Sequence, residues 1–166
     1  MTTADLTRVD PPMTGGERAQ LTGFLDFLRA EVHVKMAGLS EEDAHRCTVR
    51  SPLLTVAGIV SHLRRAERHW FTGVLGGRPP HLPQDTADDF LVARDRPLTE
   101  LLGEYSAECE TSRQVVARLD LDTEVPFRAS GLVSARWVVL HMVEETGRHA
   151  GHLDMIRENL DGVTGG

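Results

Sequence analysis

The chain has 166 residues, 40% of them apolar, which is enough for one domain to bury a core of ordinary size without disulfides. Its 18 basic and 25 acidic side chains leave a formal charge of −7, which opposes binding to phosphate backbones and anionic membranes. Cys47 and Cys109 stand in no paired spacing, MTTADLTRVDPPMTGG has no apolar core of signal-peptide length, and no apolar run is long enough to span a bilayer. We therefore expect a cytoplasmic protein with neither nucleic acid nor a membrane as partner.

Residues 1–14, with Pro11 and Pro12, read as a flexible N-terminal arm, and residues 15–162 as a single domain. From Glu17 to Met36 the apolar side chains Leu21, Phe24, Leu25, Leu28, Val32 and Met36 recur at helical spacing, which predicts a first helix. Ser40 followed by Glu41, Glu42 and Asp43 has the form of an N-cap with an acidic first turn, so a short helical turn through Ala44 is expected. A second long helix should follow Pro52, capped by Thr55 and ending at Gly76, with Val56, Ile59, Leu63, Ala66, Trp70 and Val74 on its apolar arc. Gly76, Gly77 and Pro79, Pro80 and Pro83 then open a long loop that could hold a short helix over 86–92.

The third long helix is expected after Pro97, burying Leu101, Leu102, Tyr105, Cys109, Val115, Val116 and Leu119. Asp120 to Ser134 reads as a joint. The fourth helix should start at the Ser134 cap and run to about Leu160, stopped by Asp161 and Gly162. With no alternating strand pattern recognised, the pattern predicts an all-α antiparallel four-helix bundle.

The fourth helix also carries the chemistry. At about 100° per residue, Val138, Met142, His149, Ile156 and Leu160 share a narrow stripe, with Glu145 about 40° to one side. An ionised glutamate among apolar neighbours costs several kcal/mol unless a partner or a cation compensates it. The four-residue step stacks Glu145 and His149 on one face, and His62, which borders the apolar arc of the second helix, is the best third ligand for a divalent metal. Two histidines and one carboxylate suit zinc first, with nickel, iron or manganese as alternatives. His62 could instead be a hydrogen-bonded core histidine, and Glu145 could pair with Arg148 or Arg136. His69 and His152 are reserve ligands or groups that orient a ligand, while His141 reads as a polar-edge residue and Cys109 as a packing residue.

The segments PLLTVAGIVSHLRRAERHWF (52–71) and ARWVVLHMVEETGRHAGHLDMIRE (135–158), with GLSEEDAHR after the first helix, resemble the DinB-like superfamily, particularly its actinobacterial branch. There a histidine on the second helix joins two ligands four residues apart on the fourth, usually His-x-x-x-His. Here the pair is Glu145 and His149, a departure that resembles the metal-binding domain of the mycothiol-dependent maleylpyruvate isomerase. The resemblance implies a metal held by His62, Glu145 and His149, mycothiol as co-substrate, and a homodimer. It points to a metal-dependent thiol S-transferase acting on an electrophilic small molecule. The same three ligands would also serve a metal-dependent hydrolase, and a fourth protein ligand from His152 or His69 would make a non-catalytic, metal-stabilised binding bundle.

Overall fold

A computed structural model describes residues 8–78, 90–127 and 131–164 of the chain. The described residues are mostly helical, with one small antiparallel hairpin. The α-helices whose bounds lie wholly among the described residues are α1 (Glu17–Met36), α2 (Glu41–His45), α3 (Val56–Glu67), α4 (Leu98–Ala117) and α5 (Ala135–Asp161). α1 packs along α5, α3 packs along α4, and α3 also meets α5. Residues 8–14 form no helix or strand, and residues 1–7 of the expected arm lie outside the described residues. So does 86–89 of the expected loop helix, whereas 90–92 is helical and runs into a 3₁₀ turn at Ala93–Asp95.

The helix ends follow the local chemistry read from the sequence. The Thr55 side chain accepts from the Gly58 N–H at 3.0 Å, and that of Ser134 from the Trp137 N–H at 3.2 Å, so each relieves an amide that the first turn leaves unpaired. Ser40 does the same for Asp43 at 3.0 Å. The short α2 has a further use: Glu41 Oε2 accepts from the Leu98 N–H at 2.8 Å, replacing the side-chain cap that Pro97 cannot supply to α4. Gly162 closes α5 with φ +76°, a left-handed conformation that glycine adopts without steric penalty.

α3 does not continue to Gly76 as an α-helix. Over Arg68–Leu75 it widens into a π-helix, ended by an N–H of Gly76 that reaches the Phe71 carbonyl at 2.8 Å. A side chain at position 76 would begin 2.6 Å from the Thr72 carbonyl oxygen, so this exit requires glycine.

The expectation of an all-helical chain is corrected between 124 and 134. Strands β1 (Glu124–Phe127) and β2 (Gly131–Ser134) pair antiparallel, with Val125 opposite Val133. Pro126 argues against a central strand, but a strand with a single neighbour has one edge free of ladder bonds and tolerates it. The alternation was present on a small scale: Val125 and Phe127 turn inward with Val133 against α5 and the π-segment, while Glu124, Pro126 and Leu132 are exposed on the other face.

The apolar core divides into two clusters. One gathers Val32, Ile59, Leu63, Leu101, Tyr105, Leu153 and Ile156, and the other Leu25, Phe71, Val116, Val138, Val139 and Met142. Between them on α1 and α3 lie Arg29 and Glu67, both buried and joined by two hydrogen bonds of 2.9 and 2.7 Å. Between them on α5 lie Glu145 and His149. These four buried polar residues are therefore stationed at the junction of two oily layers, where each needs a partner.

A candidate metal centre

α3 and α5 place three side chains at one point. His62 Nε2 lies 2.8 Å from Glu145 Oε1, and His149 Nε2 lies 3.3 Å from the same oxygen. One donor atom from each of the three falls within 4.8 Å of the others. Glu145 and His149 are both buried, and His62 is half-buried. The i, i+4 step along α5 brings the last two together, as the sequence implied, and the contact of α3 with α5 delivers the first. Two donors at about 2.1 Å from a tetrahedral ion would stand roughly 3.4 Å apart, so the spacing suits a small divalent cation with little rearrangement.

Electrostatics favour the ligand state of His149. Burial, reinforced by the neighbouring His62 and the Arg148 guanidinium, holds its pKa down at about 4, so the ring is neutral at pH 7 and has a lone pair to offer. Its Nδ1 faces His152 Nδ1 at 3.4 Å, leaving Nε2 toward Glu145. Arg148 donates to the second oxygen, Glu145 Oε2, so the pairing weighed from the sequence is real and coexists with the cluster. Arg136 is engaged elsewhere, with Glu17 and Asp122.

The reserve histidines separate. His152 touches His149 from behind and stands where it can orient that ring, whereas His69 lies edge-on to Trp70 at 5.0 Å and is not in the three-residue cluster. His141 is not a simple polar-edge residue: it packs against Trp70 at 4.8 Å and stacks on Trp137 at 5.1 Å. Cys109 is buried on the inner side of α4, and burial pushes its thiol up to about 12. Cys47 is exposed, its sulfur near the Val49 and Ser51 carbonyls.

Sequence reasoning missed the ring that covers His62. Phe90 stacks on it with centroids 5.1 Å apart and planes 12° from parallel. Phe90 opens a four-residue apolar run, Phe90 to Ala93, after a proline-rich stretch, too short for a period to signal which of its side chains turns toward His62. Gly58 makes the approach possible, because a Cβ there would lie 2.9 Å from Phe90 Cδ1.

Comparison with known families settles the broad assignment. The family model Mycothiol-S-transferase (MST) matches residues 20–162. The chain belongs to this family. The matched span takes in α3 and α5, and with them all three residues of the cluster. No curated protein matches the chain. Among the described residues no helix is long and apolar enough to cross a membrane.

Proposed function

We propose that this Mycothiol-S-transferase family member is a metal-dependent enzyme that joins mycothiol to an electrophilic small molecule, with His62, Glu145 and His149 as the metal ligands. The observation that carries the reading is the convergence of two imidazoles on one buried carboxylate oxygen, at 2.8 and 3.3 Å, in a chain of that family. A buried carboxylate and a neutral buried imidazole form a donor set for zinc or a similar first-row ion. Three donors, with no fourth in the cluster among the described residues, match a centre that keeps one position for an exchangeable ligand. On this reading the four long helices α1, α3, α4 and α5 constitute the antiparallel four-helix bundle of a DinB-like domain, and the protein is a cytoplasmic homodimer.

When bound, the ion would favour the thiolate form of the co-substrate at neutral pH. The chain's own residues do the rest. His149 stays unprotonated because its pocket disfavours the cation, and His152 fixes which of its nitrogens faces inward. Phe90 and the half-burial of His62 limit water on that side. The thiol sulfur bonds to the electrophilic carbon, the leaving group departs with its electron pair, and the thiol proton passes to solvent.

The first experiment is elemental analysis of protein purified without a metal-affinity tag, beside Glu145→Ala. About one ion per chain, lost in the variant, supports the centre; no metal in either removes it. Loss of free mycothiol that requires both electrophile and metal supports S-transfer, and turnover without thiol replaces it with hydrolysis.

A further inference from the structure

The two tryptophans of the chain, Trp70 and Trp137, meet with ring centroids 5.3 Å apart. His141 packs against both, and Phe127 of β1 closes on Trp70 at 5.1 Å. This group is not sealed into the core: Trp137 keeps 47% of its surface exposed and the His141 side chain 27%. Its position is specific. Along α5, Trp137, His141, Glu145 and His149 follow at four-residue steps, one beneath another. Trp70 lies on the continuation of α3 beyond His62. His62 meets α5 at Glu145 and His149, and Trp70 meets it at Trp137 and His141, so the two helices run antiparallel and the aromatic group flanks the metal ligands on one side. One to two helical turns, about 6–12 Å, separate them. An aryl ring on a short arm covers that distance.

We infer that this aromatic wall is the subsite for an aryl group on the electrophile, an inference that rests on the S-transferase reading for what happens at the metal. The exposed part of Trp137 and the partly exposed His141, with half-buried Trp70 behind them, offer a planar ring the offset and edge contacts that aromatic pairs prefer. Indole faces also stack on the C–H faces of sugars, so a sugar is the competing occupant, and the choice of an aryl group rests on the ring-on-ring contacts of 4.8 to 5.3 Å already made here. The wall's rings carry few hydrogen-bonding atoms, and the carboxylate beside it, Glu144, approaches His141 Nδ1 at 4.0 Å from the outer face of α5. With few hydrogen-bonding atoms for hydroxyl groups, the wall is assigned to the aryl side of the second substrate.

The two tryptophans also supply the assay, since both indoles of the protein belong to the wall. In metal-loaded, ¹⁵N-labelled protein, both indole N–H signals should shift saturably with acetophenone and not with acetone or N-acetylglucosamine. In Trp137→Ala the remaining signal should need at least tenfold more acetophenone. Phenacyl chloride and chloroacetone then provide a matched reactive pair: mycothiol sulfur bonds to the methylene carbon, chloride leaves with the bonding pair, and the thiol proton goes to buffer. Trp137→Ala should lower the ratio of kcat/KM for phenacyl chloride over chloroacetone at least tenfold, and Trp137→Phe should restore most of it. Absence of a saturable shift, an equal response to N-acetylglucosamine, or an unchanged ratio overturns the subsite. Saturable acetophenone binding with neither chloroketone consumed leaves the subsite standing and fails the S-transferase reading instead.

Discussion

His152 Nδ1 stands 3.4 Å from His149 Nδ1, on the side of that ring opposite the one facing Glu145. Outer partners of this kind fix the tautomer and orientation of a metal-binding histidine, and their loss typically lowers metal affinity 10–100-fold. His152→Ala is therefore expected to bind metal about that much more weakly while keeping its fold, whereas His149→Ala should hold none. His141→Ala, one turn from Glu145 and outside the cluster, should leave affinity within about threefold. Competition with a chromogenic chelator separates these outcomes, and equal affinity in all four proteins would remove the assigned roles.

The low pKa of His149 makes the metal-free protein sensitive to mild acid. Its folded value of about 4 lies below the ordinary 6.5, so between those limits the unfolded chain takes up a proton that the native chain refuses. Stability contributed by this site is complete above about pH 6.5 and falls as pH drops toward 4, by at most ~1.4 kcal/mol per pH unit for one group. Burial lowers His33, His141 and His152 in the same direction. Urea titrations of the EDTA-treated protein at pH 7.5, 6.0 and 5.0 should show the decline, and His149→Leu should make it shallower. A variant with an undiminished slope would contradict the assignment.

Arg29 and Glu67 form an ion pair with both partners almost wholly removed from water. Removing one leaves a buried charge unpaired, so Glu67→Leu and Arg29→Met are each expected to destabilise by about 3–5 kcal/mol. The double variant replaces both charges with apolar volume and should recover most of that loss. Arg29 also donates to Asp26 and lies over the Phe71 ring, which limits the recovery. Denaturant midpoints of the four proteins test this, and strictly additive losses would show that the pair is not coupled.

The two cysteines should differ in reactivity. Cys47 is exposed, while Cys109 is buried with its thiol held near 12, so the thiolate is scarce as well as inaccessible. Iodoacetamide at pH 8 is expected to add one label to the native protein, at Cys47, and a second only after unfolding. Mass spectrometry reads the count directly. Cys47→Ser should therefore give a protein with no background thiol chemistry of its own in assays that follow mycothiol consumption.

The long helices were legible because each presents several apolar residues at helical spacing, and their starts carry chemical signals such as Thr55 and Ser134. Glu145 and His149 were legible for the converse reason, being polar groups on an apolar stripe. Other features lacked any local signal. Val125, Phe127 and Val133 alternate over too few positions, across Pro126, to be recognised as a hairpin. Arg29 and Glu67 read singly as polar residues, since only the folded bundle brings one side chain of α1 within reach of one of α3. Phe90 depends on the same kind of tertiary contact, and His141 proved to belong to an aromatic group whose members come from three elements.

The joint between β2 and α5 acts as a rotational clock. Ser134 ends the ladder opposite Glu124 and also caps the helix, and the next two amides, of Ala135 and Arg136, donate to the Thr123 and Leu121 carbonyls at 2.9 Å. No slack remains between strand and helix in which a change of register could be absorbed. A one-residue slip would advance α5 by about 100° and carry Glu145 and His149 away from His62. The four-residue strand thus sets the azimuth of a carboxylate eleven positions downstream, and a single insertion after Ser134 would take apart the candidate metal centre without altering any residue in it.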